Sequence, residues 1–481
     1  MSKINKLGRM LRDKKISCVE LTKTYLSEAK RLNPNLNAYI TITEETALEA
    51  AGAADKKLAT SDDLPALFGI PFTLKDNIVT SGIKTTCASK MLSNHVPVYD
   101  AAIWEYLKKQ GAVLIGKSNM DEMAMGKSGA TSFFGASVNP HDSSRIPGGS
   151  SGGTAVAVAS GMAAYGIGTD TGGSIRQPAS YCGLVGLKPT YGSVSRYGVV
   201  AFASSLDTAG PITTCVHDAA TVFDAISQYD KRDMKSVGCK PITELLTKDI
   251  KGMKIGVAPE FFEGLSSDVS QAVQNALKTL EKMGAVLVDL NFTLLKHATV
   301  AYRIISCAEA ASNLGRFDGI QYGFRTDRYD DIEDLICKTR SEGFGTEVKK
   351  RILLGTYVLS SEYHDVYYKK ALELKQAICY ELKKLLSECD CLIAPTTPTT
   401  APKVNYLNSA DEEKLNNYNA VANLAGLPSI SIPCGFDKER LPIGMQIIGD
   451  KFCENVILNA ALAFETETDG AFLNASESEV L

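Results

Sequence analysis

Histidine is scarce in this chain. Only five occur among 481 residues, and His95, His141, His217, His297 and His364 form no H-x-x-x-H pair. That leaves no local histidine motif for a metal or for acid–base catalysis, and no metal is expected. Positive charge is not in excess either. Fifty-one basic residues face 55 acidic ones, a formal net charge of −4. A basic nucleic-acid footprint is missing, so DNA is not an expected partner, and any nucleic acid would have to be held by another chain. No run of about 18 apolar residues occurs, which argues against a membrane-spanning helix. The opening MSKINKLGRMLRDKK is charged and lacks the apolar core of a secretory signal. With no such signal, the 12 scattered cysteines read as reduced thiols of a cytoplasmic protein. Cys389 and Cys391 are spaced C-x-C, which is not a usual zinc pattern. There is no fixed-period repeat, no low-complexity block and no Pro/Gly/Ser linker dividing the chain.

What is present fits a globular protein. Hydrophobic residues make up 44% and charged residues 22%, enough for a substantial core. A capping box at Ser17 and Glu20 opens a helix predicted over Ser17 to Asn33. A second, Ala- and Glu-rich helix is expected over Thr43 to Leu58. Phe68 to Leu74 reads as a buried strand ending in Lys75. Asp100 to Gln110 reads as a helix with Asp100 as its N-cap and Gly111 as its stop. Ala112 to Ile115 is a further strand. Lys254 to Ala258, Ser267 to Met283 and Ala285 to Leu290 give a β-α-β order that predicts parallel pairing. Helical patterns fill most of Val300 to Leu386. Leu392 to Ala394, Ser429 to Pro433 and Met445 to Gly449 are later strands. The whole reads as one large α/β domain over 1–481, with a central mixed sheet flanked by helices on both faces. Residues from about 300 to 390 form a helical cap or insertion.

Between Gly126 and Gly210 the chain becomes rich in glycine and serine. Two segments stand out: Pro147-Gly148-Gly149-Ser150-Ser151-Gly152-Gly153 and Asp170-Thr171-Gly172-Gly173-Ser174-Ile175-Arg176-Gln177-Pro178. A flexible linker is a poor reading of them. Helical sequence (Thr154 to Ala164) follows the first, and strand-like sequence (Tyr165 to Thr169) precedes the second. The P-loop pattern is absent, although Gly148 to Gly153 could hold an anion at a helix N-terminus. The G-x-S-x-G elbow is also absent. A serine nucleophile needs a base, and no histidine lies in these loops. A lysine serves if burial lowers its pKa, and Lys75, at the end of a buried strand, is the candidate.

These segments resemble the amidase signature family, whose members cut amides with a Ser–Ser–Lys triad. The core signature covers about 65–215, and the resemblance extends over nearly the whole chain. It implies Ser174 as nucleophile, Ser150 as the bridging serine on an unusual cis peptide bond, and Lys75 as the base. It further implies that the backbone N–H groups of Thr171, Gly172, Gly173 and Ser174 form the oxyanion hole.

Within that family, the stretches Gly183 to Gly192, Val194 to Gly198, Ala201 to Asp207, Arg316 to Ile320, Leu354 to Thr356 and Asn423 to Pro428 are most similar to the A subunits of glutamyl-tRNA(Gln) amidotransferases. That resemblance implies a glutaminase releasing ammonia. A partner B subunit uses ATP and Mg²⁺ to amidate Glu-tRNA(Gln) or Asp-tRNA(Asn), and a small C subunit completes a heterotrimer. This chain itself then needs no cofactor, and the tRNA is held by the partner. The alternative is a stand-alone amidase acting on another small amide. Free glutamine needs a cation for its carboxylate and an acceptor for its ammonium. The resemblance offers Arg351 and Tyr302 for substrate binding, with Met125 and Gly126 beside them. Three departures bear on the donor. Asn416 stands where the family has an aspartate, Lys127-Ser128-Gly129-Ala130 replaces a Gly-Ser-Thr-Glu-like stretch, and Thr208 replaces a glutamine.

Overall fold

The computed structural model describes residues 2–61, 63–404 and 417–472. Eleven strands are found among them: β1 Tyr39–Ile42, β2 Pro71–Lys75, β3 Val113–Ser118, β4 Tyr165–Asp170, β5 Val185–Lys188, β6 Thr208–Thr213, β7 Lys254–Val257, β8 Val286–Asp289, β9 Cys391–Pro395, β10 Ser429–Phe436 and β11 Pro442–Gly449. They form one mixed sheet in the order β1-β3-β2-β4-β6-β5-β10-β11-β9-β7-β8. The expected parallel pair is present, with Lys254 opposite Val286 and Val257 opposite Asp289. β2 runs parallel to both β3 and β4.

Alternation along β9 shows how the sheet separates two cores. Cys391 and Ile393 point into one apolar cluster. Leu392 and Ala394 point into the other. Successive side chains on a strand face opposite ways, so a strand buried on both faces tends to a near-continuous apolar run. The second cluster is closed by helices Ala298–Asn313, Thr346–Leu359 and Lys370–Leu385. This is the helical region read from sequence as a cap.

The Ser17 capping box is present. Glu20 N–H donates to Ser17 Oγ at 3.1 Å, and Ser17 N–H to Glu20 Oε2 at 2.9 Å. The helix runs one turn further than expected, to Leu36, ending at Asn37 in the left-handed region. Asp100 is not a cap. The helix is Ala102–Lys109, and the Asp100 carboxylate instead accepts the Ser81 N–H at 2.7 Å. The helix expected over Thr154 to Ala164 is Gly152–Ala159. It stops at Ser160, ahead of Gly161, whose φ is +75°. All 12 cysteines are unpaired. Among the described residues no helix is long and apolar enough to cross a membrane.

Candidate active site

The parallel pairing of β2 with β4 decides where the chemistry sits. Leu74 lies opposite Ile167, so Lys75 and Asp170 both emerge at the same edge of the sheet. The loop carrying Ser174 follows β4 directly. The Gly148 to Gly153 loop crosses beside it and runs into helix Gly152–Ala159. Its Gly149–Ser150 peptide bond is cis. Ser151 N–H donates to the Ser174 carbonyl at 3.1 Å and stitches the two loops together.

Lys75 is fully buried. Its Nζ lies 2.7 Å from Ser150 Oγ, 2.9 Å from Ser151 Oγ and 3.3 Å from the Thr169 carbonyl. Ser151 spends its own proton on the Thr169 carbonyl, at 3.1 Å. Ser151 Oγ therefore accepts from the amine. A neutral amine has two N–H donors and one lone pair. With the donors directed to Ser151 and Thr169, the lone pair faces the Ser150 hydroxyl. Burial pushes the Lys75 pKa down to about 7, against the pull of the Asp121, Asp170 and Asp207 carboxylates. Ser151 was not singled out from the sequence, where nothing separates it from Ser150.

The loop carrying Ser174 is pinned from below. Asp170 and Arg176 form a fully buried ion pair, with both Nε and Nη2 at 3.1 Å from the carboxylate. That guanidinium and the Lys188 ammonium help hold the Asp170 carboxyl well below the usual carboxylate range, against the opposing effect of its burial. Arg176 also reaches Gln446 and Asn423. Asp170 accepts the N–H of Gly173 at 2.7 Å and of Ile175 at 3.1 Å. The expectation for Gly173 is corrected by this contact. Its N–H is turned into the Asp170 carboxylate. Thr171 is held through its hydroxyl, which donates to Asp207 Oδ1 at 2.6 Å.

Above the loop lies a narrow cleft whose walls include Ser174, Gly172, Gly149, Gly126, Tyr302 and Arg351. The family profile for Amidase matches residues 20–458.

The chain belongs to the amidase family.

Curated relatives span this amidase almost end to end. The glutamyl-tRNA(Gln) amidotransferase A subunit of Thermoanaerobacter pseudethanolicus is 50% identical over 474 residues, covering 96% of this chain and 95% of that protein. The corresponding A subunit of Coxiella burnetii is 48% identical over 472 residues, covering 97% of each. Among solved structures, the glutamyl-tRNA(Gln) amidotransferase A subunit of Thermotoga maritima superposes with a TM-score of 0.79 at 38% identity, covering 94% of each chain. The peptide amidase of Stenotrophomonas maltophilia superposes with a TM-score of 0.84 at 29% identity, covering 97% of this chain and 96% of that one.

The remaining residues named from sequence divide unevenly around the amidase cleft. Arg351 is held by Glu347 at 2.8 Å and sits over the Phe202 ring, 5.5 Å from its centroid. Tyr302 packs its phenol against Gly172. Gly126 and Lys127 both reach the wall, while Met125 is buried behind it. Thr208 does not line the cleft. It starts β6, opposite Asp170. Asn416 lies outside the described residues. The wall also holds Ala124, Gly149, Gln177 and Asn419, none of which the sequence marks as a site residue. Gln177 lies within the Asp170 to Pro178 segment. Asn419 stands four residues before Asn423, just outside the Asn423 to Pro428 stretch.

Proposed function

We propose that this amidase hydrolyses glutamine and is the ammonia-releasing subunit of a tRNA-dependent amidotransferase. The observation that carries the hydrolytic part is the buried contact of Lys75 with Ser150 at 2.7 Å, beside a cleft holding both Ser174 and Arg351. The near-complete length match to A subunits supports the choice of donor and complex.

In this reading neutral Lys75 takes the proton of Ser150 while Ser150 takes that of Ser174. Ser174 Oγ attacks the side-chain amide carbon. The N–H groups of Thr171, Gly172 and Ser174 stabilise the oxyanion, a donor set worth about 10²–10³-fold in rate per member. The C–N bond breaks as a proton returns through Ser150 to the leaving nitrogen, and ammonia departs. Water, deprotonated by the same relay, then cleaves the acyl-enzyme and frees glutamate. Arg351 binds the substrate carboxylate, with Tyr302 beside it. The ammonia is used by a B subunit with ATP and Mg²⁺, which amidates Glu-tRNA(Gln) or Asp-tRNA(Asn), with a C subunit completing the heterotrimer.

A stand-alone amidase is the second reading, favoured by the presence of Lys127 in the cleft wall. Ammonia release from glutamine, asparagine and simple amides separates the two, with Ser174→Ala as the blank. Glutamine turnover that rises with B and C subunits, ATP and mischarged tRNA supports the first. Turnover of another amide by the lone chain, with none of glutamine, overturns it.

A further inference from the structure

Asn419 is 1% exposed, and one end of its side-chain amide is committed. Nδ2 donates to the Thr396 carbonyl at 2.9 Å. That bond fixes which way the amide faces, because a carbonyl can pair only with the nitrogen end. The other end, Oδ1, is buried without a hydrogen-bond partner. A buried acceptor left unpaired is costly and calls for an explanation. The residue lines the same cleft as Ser174 and Arg351. It also abuts the nucleophile loop: a Cβ on Gly173 would stand 2.7 Å from Asn419 Cβ. Its backbone carbonyl accepts from Arg176 Nη2 at 3.1 Å. Oδ1 is therefore a fixed acceptor with nothing to accept.

The charges around it narrow the ligand. Among the described residues lining the cleft there are two cations, Lys127 and Arg351, and no carboxylate. An α-amino acid amide brings a carboxylate for a cation and an amine whose N–H groups need an acceptor. We infer that Asn419 Oδ1 accepts a hydrogen bond from the substrate's α-amine, making Asn419 a specificity residue for α-amino acid amides. This rests on the glutaminase reading. A neutral amide oxygen holds an ammonium less tightly than a carboxylate does. Selectivity for the amine is accordingly modest in this protein, and a carboxylate at the same position increases it.

The test compares kcat/KM for ammonia release from glutamine and from glutaramate, which is glutamine without its α-amino group. Wild type, Asn419→Ala and Asn419→Asp are assayed as full-length chains. The ratio of the two substrates on one preparation is independent of how much protein has folded. Wild type is expected to prefer glutamine. Asn419→Ala is expected to cut that preference roughly tenfold, the scale of one hydrogen bond to a charged group, through glutamine alone. Asn419→Asp is expected to raise it. An unchanged ratio in both variants, or equal losses on both substrates, overturns the role of Asn419 and leaves the glutaminase reading standing. A wild type that cleaves neither substrate but another amide overturns that reading and this inference together.

Discussion

Gly172 and Tyr302 touch so closely that no side chain fits between them: a Cβ on Gly172 would stand 2.5 Å from the phenol Cζ. One is part of the nucleophile loop and the other belongs to helix Ala298–Asn313. The contact couples the position of the loop backbone to the far wall of the cleft.

Gly172→Ala should therefore lose activity although the new methyl group is small. Moving the loop away from Tyr302 displaces its N–H donors, and a loss of about 10²-fold in kcat is expected. Adding Tyr302→Ala should recover part of that loss. Steady-state kinetics of the single and double variants check this. A Gly172→Ala variant at full rate would show that the contact does not constrain the loop.

Ser174→Ala should abolish turnover while the protein stays folded. Its hydroxyl lines the cleft, and its carbonyl bond to Ser151 N–H does not depend on the side chain. Ammonia release and a thermal melt together read this out. Residual turnover near the wild-type rate is incompatible with Ser174 as the nucleophile.

Activity should rise with pH through about 7, because only the neutral Lys75 amine can accept a proton. The same depression has a stability sign. Between about 7 and the unfolded value of 10.5 the unfolded chain carries the extra proton, so stability climbs with pH across that window. Below it the full burial penalty applies. Lys75→Met should accordingly abolish activity and raise the melting temperature at neutral pH. A flat activity profile down to acid pH, or a Lys75→Met protein that melts lower, counts against this account.

Arg351→Ala should mainly raise KM for glutamine, and Lys75→Ala should mainly lower kcat. Lys75 is buried and the Arg351 side chain mostly so, and each variant therefore needs a melt beside its kinetics. A kcat collapse at unchanged KM in Arg351→Ala would remove its substrate-binding role.

Asp170→Asn should destabilise the protein by about 3–5 kcal/mol, the usual cost of breaking one side of a buried ion pair. Arg176 would keep its charge while losing its counter-ion, and the N–H groups of Gly173 and Ile175 would bond a weaker acceptor. The shift of the urea midpoint measures this. A midpoint within experimental error of wild type would mean the pair contributes little.

Much of the sheet and of the site was legible because the signal lay in contiguous patterns. The β7–helix–β8 unit was read from a polar-to-apolar rhythm within about 35 residues. Lys75, Ser150 and Ser174 each lie in a short dense motif. The errors share a different cause, which is competition for a polar group that no local pattern records. Asp100 looks like a cap, but its carboxylate is claimed by Ser81. The Gly173 N–H is claimed by Asp170, a preference invisible in a run of glycines. Asn419 is defined by Thr396 and Gly173, which precede it by 23 and 246 residues in the chain. The strands β1, β5 and β6 went unread because Gly and Pro interrupt their apolar pattern or because they span few residues.

The proton relay is drawn from one short portion of the chain, from β2 to the loop after β4. The opposite wall, with Tyr302, Arg351 and Asn419, comes from helices encoded after residue 297. The side of the cleft with Gly149 and Ser174 and the side with Tyr302, Arg351 and Asn419 thus have separate genetic addresses. Changes in the second side can redirect the amidase to a new amide while the bond-breaking apparatus is inherited intact.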